Sequence, residues 1–356
     1  MTLNFNNHMT VKTALNFDLG NYLLNLIAFL LILISIKIIF AKDLLNAVIA
    51  ASVFSLLIGV SYLIMDAPDV AMTEAALGAC LSTCVYLNLL RKLPSDLKNI
   101  ERTNIIPASL ICLLFVVTLA YMGLELPNYG DDSAPIHMHS SKYYIENTSR
   151  DIGIPSFVAA ILASYRGYDT LGETSVILVA GIAVLLIFSR KSDDAIPRLD
   201  LGISGHRRYK IPWSSHGMTN PIIKYITSFI IPYIILYSIY IQLNGESSPG
   251  GGFQAGVIFA SSLIAYDLVY GNRKLSRYFP PNVLVCIAVL GVAIYAIVGT
   301  ISLFFNDNYL NYYSLINFIN DKLLAQHIAI VIVEIGIGLT VAAIMYLIYN
   351  VFNNYE

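Results

Sequence analysis

Long apolar runs broken by short polar connections repeat along this chain from end to end. Runs long enough to cross a ~30 Å hydrocarbon core, about 20 residues at ~1.5 Å each, fall near 20–40, 44–65, 69–90, 105–124, 157–188, 221–243, 250–270, 282–304 and 325–350. Their lengths are helical and none alternates with the period of two that a barrel strand needs. The pattern therefore predicts an all-α polytopic membrane helical bundle of about nine transmembrane helices. The run from Tyr22 to Phe40 is longer than a signal-peptide core and has no Ala-x-Ala site nearby, so it is read as a first span.

Composition agrees with the pattern. Of the 356 residues 57% are hydrophobic and only 12% charged, with a mean hydropathy of +0.68, whereas soluble chains are about a quarter charged. The expected surroundings are a lipid bilayer. A formal net charge of -2 gives no electrostatic reason to expect a nucleic-acid partner. Cys80, Cys84, Cys112 and Cys286 lie in apolar runs without CxxC spacing, which favours small packing residues over a disulfide framework, a metal site or a redox site.

Basic residues set an expected orientation. Of the 21, 14 lie in alternate connections, from Lys42 through Arg91, Arg190 and Arg208 to Arg277, and 4 lie in the others, Lys12, Lys142, Arg150 and Lys322. The excess predicts the N-terminus outside and the C-terminus inside. The external loop, 125–155, carries His137-x-His139 near Asp131 and Asp132 and reads as a solvated loop rather than a metal site. The internal stretch 190–221 holds Trp213, expected as an interfacial anchor, and divides the chain into a five-span front and a four-span back.

Ionisable groups inside the spans carry the candidate chemistry, because a charge in hydrocarbon costs a few kcal/mol and persists where it pairs, lines water or moves ions. Lys37, Lys224 and Asp267 lie near predicted internal ends and are expected to snorkel. Glu74 lies about two turns into the third span, ~10 Å deep, behind Asp66-Ala-Pro-Asp69 and beside Ala75, Ala76, Gly78 and Ala79. It reads either as part of an ion path or as a protonated carboxyl bonded to a neighbouring helix. The fifth run, Phe157 to Phe188, is about 48 Å long if straight, too long to stand upright, and is expected to tilt or to break at Gly167 and Gly172. Asp169 and Glu173 are four apart on one helix face and Arg166 shares it. Two carboxylates with a guanidinium can hold or relay a proton or a small cation; the alternative is an Arg-Asp pair that locks packing and leaves Glu173 over. Glu334 is a further intramembrane carboxylate, followed by Gly336 and Gly338. In Ser247-Ser-Pro-Gly-Gly-Gly-Phe-Gln-Ala-Gly256, Pro249 is expected in the first turn of a helix capped by Ser248. Gly252 and Gly256 offer a face for close helix approach. With no Gly-Lys-Ser/Thr and no preceding strand, this is not a phosphate loop.

Asp69-Val-Ala-Met-Thr-Glu-Ala-Ala-Leu-Gly78 resembles the hallmark of the MbhD-like domain at the C-terminal end of the large MnhA-type polypeptide of Mrp-type multisubunit sodium/proton antiporters. Arg166-Gly-Tyr-Asp-Thr-Leu-Gly-Glu173 resembles the MbhE-like segment that follows it. The run from Asn220 to Gly256, with Pro249, Gly250, Gly251, Gly252 and Gln254, resembles the MnhB polypeptide of the same complexes. The resemblance covers nearly the whole chain in the family's order and implies four parts: an MbhD-like domain of three helices (1–98), an MbhE-like domain of two (99–195), a cytoplasmic linker (196–219) and an MnhB-like domain of four helices (220–356). It implies a multi-pass subunit of the bacterial plasma membrane, partnered by antiporter-like large subunits and small helical subunits and serving sodium ions and protons. It carries ion-path roles to Glu74, Asp169 and Glu173; Arg166 follows from its place in the motif, and Glu334 joins as a buried carboxylate. No enzyme activity, cofactor or metal is expected. The alternatives are a module of a hydrogenase-like or complex I-like energy-converting complex, and a non-transporting assembly scaffold. The sequence departs from the family in two places. The many-helix antiporter-like portion that precedes the MbhD-like domain is absent from it, so transport by this chain alone is not expected. The usual His of the external loop in MnhB is Glu246.

Overall fold

The structure, a computed structural model, describes residues 4–41, 43–90, 105–127, 130–131, 133–189, 220–271, 275–305, 307–316 and 321–354. Trp213, Asp132, the expected linker at 196–219 and most of the basic connections lie outside the described residues.

The elements are α1 (Asn4–Ile39), α2 (Leu44–Ile64), α3 (Pro68–Glu74), α4 (Ser82–Leu90), α5 (Ile105–Gly123), α6 (Pro135–Met138), α7 (Ser140–Asp151), α8 (Phe157–Ala160), α9 (Gly167–Ser189), α10 (Pro221–Asn244), α11 (Gly252–Tyr270), α12 (Leu275–Tyr278), α13 (Pro281–Phe304) and α14 (Lys322–Asn354). Among the described residues eight helical stretches are long and apolar enough to cross a membrane, and α5 is a ninth, shorter apolar helix. The chain is a multi-pass α-helical membrane protein.

Two of the spans are not plain α-helix. A π-helical stretch, Ala75–Leu81, joins α3 to α4, and a second, Ile161–Tyr165, follows α8. The long fifth run breaks once, at Arg166 (φ -122°, ψ 35°), so a short segment precedes a 23-residue span. Gly172 lies inside α9 and breaks nothing. The expected solvated loop at 125–155 holds α6 and α7, and Tyr143 and Tyr144 of α7 pack their rings near that of Tyr165.

The bundle is built around α14. Its Ile330, Val333, Ile337, Val341 and Ile344 are fully or nearly fully buried, and α9, α11 and α13 pack on it. Glycine allows the close approach. A Cβ on Gly256 would stand 2.8 Å from both the Gly338 carbonyl oxygen and Val341 Cβ, and one on Gly336 2.7 Å from the Gly291 carbonyl oxygen. Thr340 Oγ1 donates to the Ala288 carbonyl at 3.0 Å across the α13–α14 contact. In a membrane the drive for such contacts is van der Waals packing and interhelical hydrogen bonding, and small residues increase both. The front of the chain is looser: α1 packs on α2 and α2 on α3, while α5 is exposed along its described length.

Gly256→Leu is expected to lower the thermal stability of the detergent-purified protein through overpacking of about 1–3 kcal/mol. Gly172→Ala, where an added Cβ meets nothing within 4 Å, should leave stability unchanged or raise it by up to about 1 kcal/mol. Size-exclusion melting curves of the two variants measure both effects.

Candidate functional site

The sequence-selected residues form two groups. In the first, α3 begins at Pro68, and Asp69 in its first turn accepts the Gly250 N–H on Oδ1 at 2.9 Å. Gln254 Nε2 reaches the Asp69 carbonyl at 3.4 Å. The glycine-rich segment is thus tied to the start of the third span. The helix expected to begin at Pro249 begins instead at Gly252, with Gly251 as N-cap. Gly251 has φ 120°, a conformation open to glycine, so the chain stays extended for two residues more. Ser248 caps nothing; its hydroxyl meets Asn244. Glu334 lies behind this segment: a Cβ on Gly251 would be 3.4 Å from its Oε1. Glu334 is 6% exposed, and the acidic groups that bear on it are Glu246 and Asp69.

Glu74, five residues beyond Asp69, turns toward α2 and accepts the Ser55 hydroxyl at 2.6 Å. Gly78 leaves room for that contact, since its Cβ would lie 3.0 Å from Ser55 Cβ. The π-helical stretch starts at the residue after Glu74. Such bulges shift the register of side chains and carbonyls and gather at functional sites.

The second group stands on α9. Arg166 Nε meets Asp169 Oδ2 at 2.6 Å, with the two side chains 62% and 49% exposed. Glu173 is exposed on the outside of the chain about 9 Å beyond Gly167, and no described residue makes a hydrogen bond or ion pair with it. The break beneath them is filled by side chains. Arg166 N–H donates five residues back to Ile161 at 2.7 Å. The carbonyls of Leu162, Ala163 and Gly167 accept from Thr170, Tyr312 and Tyr295 at 2.7, 2.9 and 2.7 Å. Broken helix at membrane depth is tolerated where freed backbone groups find such partners. No hydrogen bond or ion pair among the described residues joins this group to the first.

Two contacts escaped the sequence reading. Asp267, expected to snorkel, is 3% exposed and accepts the Tyr346 hydroxyl at 2.6 Å. It faces α14 instead of the helix end, and a buried carboxylate so placed takes a tyrosine donor rather than water. Glu246 forms an ion pair with His327 at the start of α14. Burial pushes the Glu246 carboxyl up, and the imidazole beside it works against that shift. Glu246 was visible as the residue just before the Ser247–Gly256 segment, and His327 as the residue two helical turns before Glu334, but nothing in the sequence joined them. His137, His139 and Asp131 gather no metal-binding group among the described residues.

Comparison with known proteins supplies the context. Residues 222–347 match the family described as a domain related to the MnhB subunit of Na+/H+ antiporter, and residues 29–95 match MbhD, the family described as the D subunit of MBH. An uncharacterized protein of Methanocaldococcus jannaschii is 29% identical over 164 residues, covering 46% of this chain and 62% of the relative. A probable K(+)/H(+) antiporter A/B polypeptide of Rhizobium meliloti is 24% identical over 225 residues, covering 60% of this chain and 22% of the relative. The fold is similar to a chain in the structure of the Mrp complex from Dietzia sp. DQ12-45-1b, with TM-score 0.71 and 21% identity over 93% of this chain and 35% of that one. The chain therefore spans less than two thirds of the length of these curated relatives, and about a fifth of the antiporter polypeptide.

Tyr295→Phe removes the hydroxyl that donates to the Gly167 carbonyl at the start of α9, a loss of about 0.5–1.5 kcal/mol. Amide exchange across 161–170 should speed up about fivefold, read by hydrogen–deuterium exchange with mass spectrometry, while exchange in α11 stays as in the parent.

Proposed function

We propose that this chain, which carries an MbhD domain and an MnhB-related domain and so belongs with the subunits of Mrp-type antiporters, is a membrane subunit of a multisubunit monovalent cation/proton antiporter. In this reading Glu74, Asp169, Glu173 and Glu334 contribute to the path of sodium ions or protons, and Arg166 holds Asp169 in place. The observation that carries it is Glu173, an exposed carboxylate within an apolar span with which no described residue makes a hydrogen bond or ion pair. A charge facing hydrocarbon at that depth costs a few kcal/mol, so this face is covered by a neighbouring subunit or lines water. A carboxylate there, one helical turn beyond the Arg166–Asp169 pair, can bind and release protons or exchange them for sodium.

The proposal keeps the division into MbhD-like (1–98), MbhE-like (99–195), linker (196–219) and MnhB-like (220–356) parts. It places the complex in the bacterial plasma membrane with the 245–251 loop on the outer side, as the charge distribution predicts. Its partners are antiporter-like large subunits and small helical subunits, and the chain carries out no covalent chemistry.

A second reading, an assembly scaffold, is favoured by two contacts: Glu74 with Ser55 and Arg166 with Asp169 both satisfy charge inside the chain. Flux and assembly separate the two readings. For an ion-path role, Glu173→Gln should leave the complex intact on blue-native gels and lower cation-dependent proton exchange in everted vesicles at least about tenfold. Full exchange at normal complex abundance would exclude that role, and loss of the complex in Asp169→Asn would favour the scaffold.

A further inference from the structure

The Glu246–His327 contact joins the 245–251 loop to the first turns of α14. Its two partners differ in exposure: the His327 side chain is 50% exposed and that of Glu246 11%. Glu246 Oε2 faces His327 Nδ1, while Oε1 is buried and has no hydrogen-bond partner among the described residues. The surroundings of the pair are held on two sides. Ser156 N–H donates to the Glu246 carbonyl at 3.0 Å, and Ser164 Oγ donates to Gln326 Oε1, next to His327, at 3.1 Å.

Glu334 lies seven residues after His327, two turns along one helix face and about 10 Å deeper. It is buried, makes no hydrogen bond among the described residues, and has Glu246 and Asp69 as its acidic neighbours. Exposure therefore falls in order from His327 to Glu246 to Glu334, with an unpartnered oxygen in the middle. The titratable groups facing Glu246 from the packed elements are His327 and Glu334 on α14, and Asp69 on α3 faces Glu334.

We propose that Glu246 and His327 are a proton-loading pair that exchanges protons between water at the loop end of the bundle and Glu334. His327 gains a proton on its exposed Nε2 and releases the one on Nδ1 to Glu246 Oε2, so only its tautomer changes. Glu246, now protonated on Oε2, turns its carboxyl and passes that proton on through water to Glu334, and the neutral ring returns to the Nδ1–H tautomer by gaining a proton from water on Nδ1 and losing the one on Nε2. Burial and the opposing imidazole act on Glu246 in opposite senses, which keeps its proton exchangeable. This inference rests on the antiporter reading for its purpose, and it assigns Glu246 and His327 roles that reading does not contain.

The test uses the assembled complex in everted vesicles, with blue-native gels reporting the amount of complex. His327→Ala should lower the cation/proton exchange rate at least about tenfold, within the range that one positioned proton donor supplies. Added imidazole, which can reach a half-exposed site, should restore part of that rate in proportion to its concentration. His327→Gln, which keeps a hydrogen-bond donor, should lose the rate too without disturbing assembly. A parent-like rate and pH profile in both variants, or loss without imidazole rescue at normal complex abundance, overturns the proposal.

Glu173→Gln, run beside them, separates the two readings. If it transports normally while His327→Ala is lost and rescued, the Glu173 path fails and the loading pair stands. An independent readout is infrared titration of the purified protein. A carboxyl band absent in Glu246→Gln should shift to higher pH in His327→Gln, because the opposing imidazole is gone. A Glu246 band that does not respond to the loss of His327 overturns the pair even in a complex that transports nothing.

Discussion

Backbone-to-backbone approach between α11 and α14 is the contact on which the rest of the bundle depends. Gly252 and Gly256 on one helix meet Ile337, Gly338 and Val341 on the other at distances that leave no room for a Cβ. Because lipid is as apolar as leucine, no hydrophobic drive brings the helices together, and the packing itself supplies the association. That approach has a consequence for chemistry. It draws the start of α11, with its extended Pro249-Gly250-Gly251 segment, down onto α14 and encloses Glu334 beneath it. The same segment carries the amide that reaches Asp69, so one close packing event connects the two matched domains.

Irregular helix is concentrated where the carboxylates are. One π-helical stretch starts just after Glu74 and the other ends just before Arg166. In a span, each departure from the regular ladder frees backbone groups that lipid cannot satisfy. At Arg166 the cost is offset by Tyr295, Tyr312 and Thr170, each from its own place in the chain. Such a break, supported from two other elements, sets the direction of α9 and with it the face on which Asp169 and Glu173 stand.

The spans were legible because long apolar runs in this composition have one stable solution, a helix. Most of their bounds differ from the sequence expectation by a few residues, as at Gly252–Tyr270 against 250–270, while the fifth begins ten residues late, after the break at Arg166. The chemistry was legible in part. Arg166 and Asp169 pair as i,i+3 spacing allows, because that contact is local. The pairs Glu246 with His327 and Asp267 with Tyr346 join residues 81 and 79 apart, and helix packing alone brings them together. Pro249 misled because its ring suits a first helical turn, whereas the two glycines after it permit an extended path that the Asp69 contact then holds.

Front and back treat buried charge differently. In the back half Glu334 and Asp267 are enclosed by the chain's own helices, with Tyr346 supplying a hydroxyl to Asp267. In the front half Arg166, Asp169 and Glu173 lie on an outer surface, and only two of the three neutralise each other. Hydrocarbon is a poor neighbour for the third, and no described residue makes a hydrogen bond or ion pair with it. The back half thus carries its own low-dielectric surroundings for its carboxylates, whereas those of Glu173 depend on whatever lies against α9. In the proposed function, a neighbouring subunit or a water-filled path supplies those surroundings.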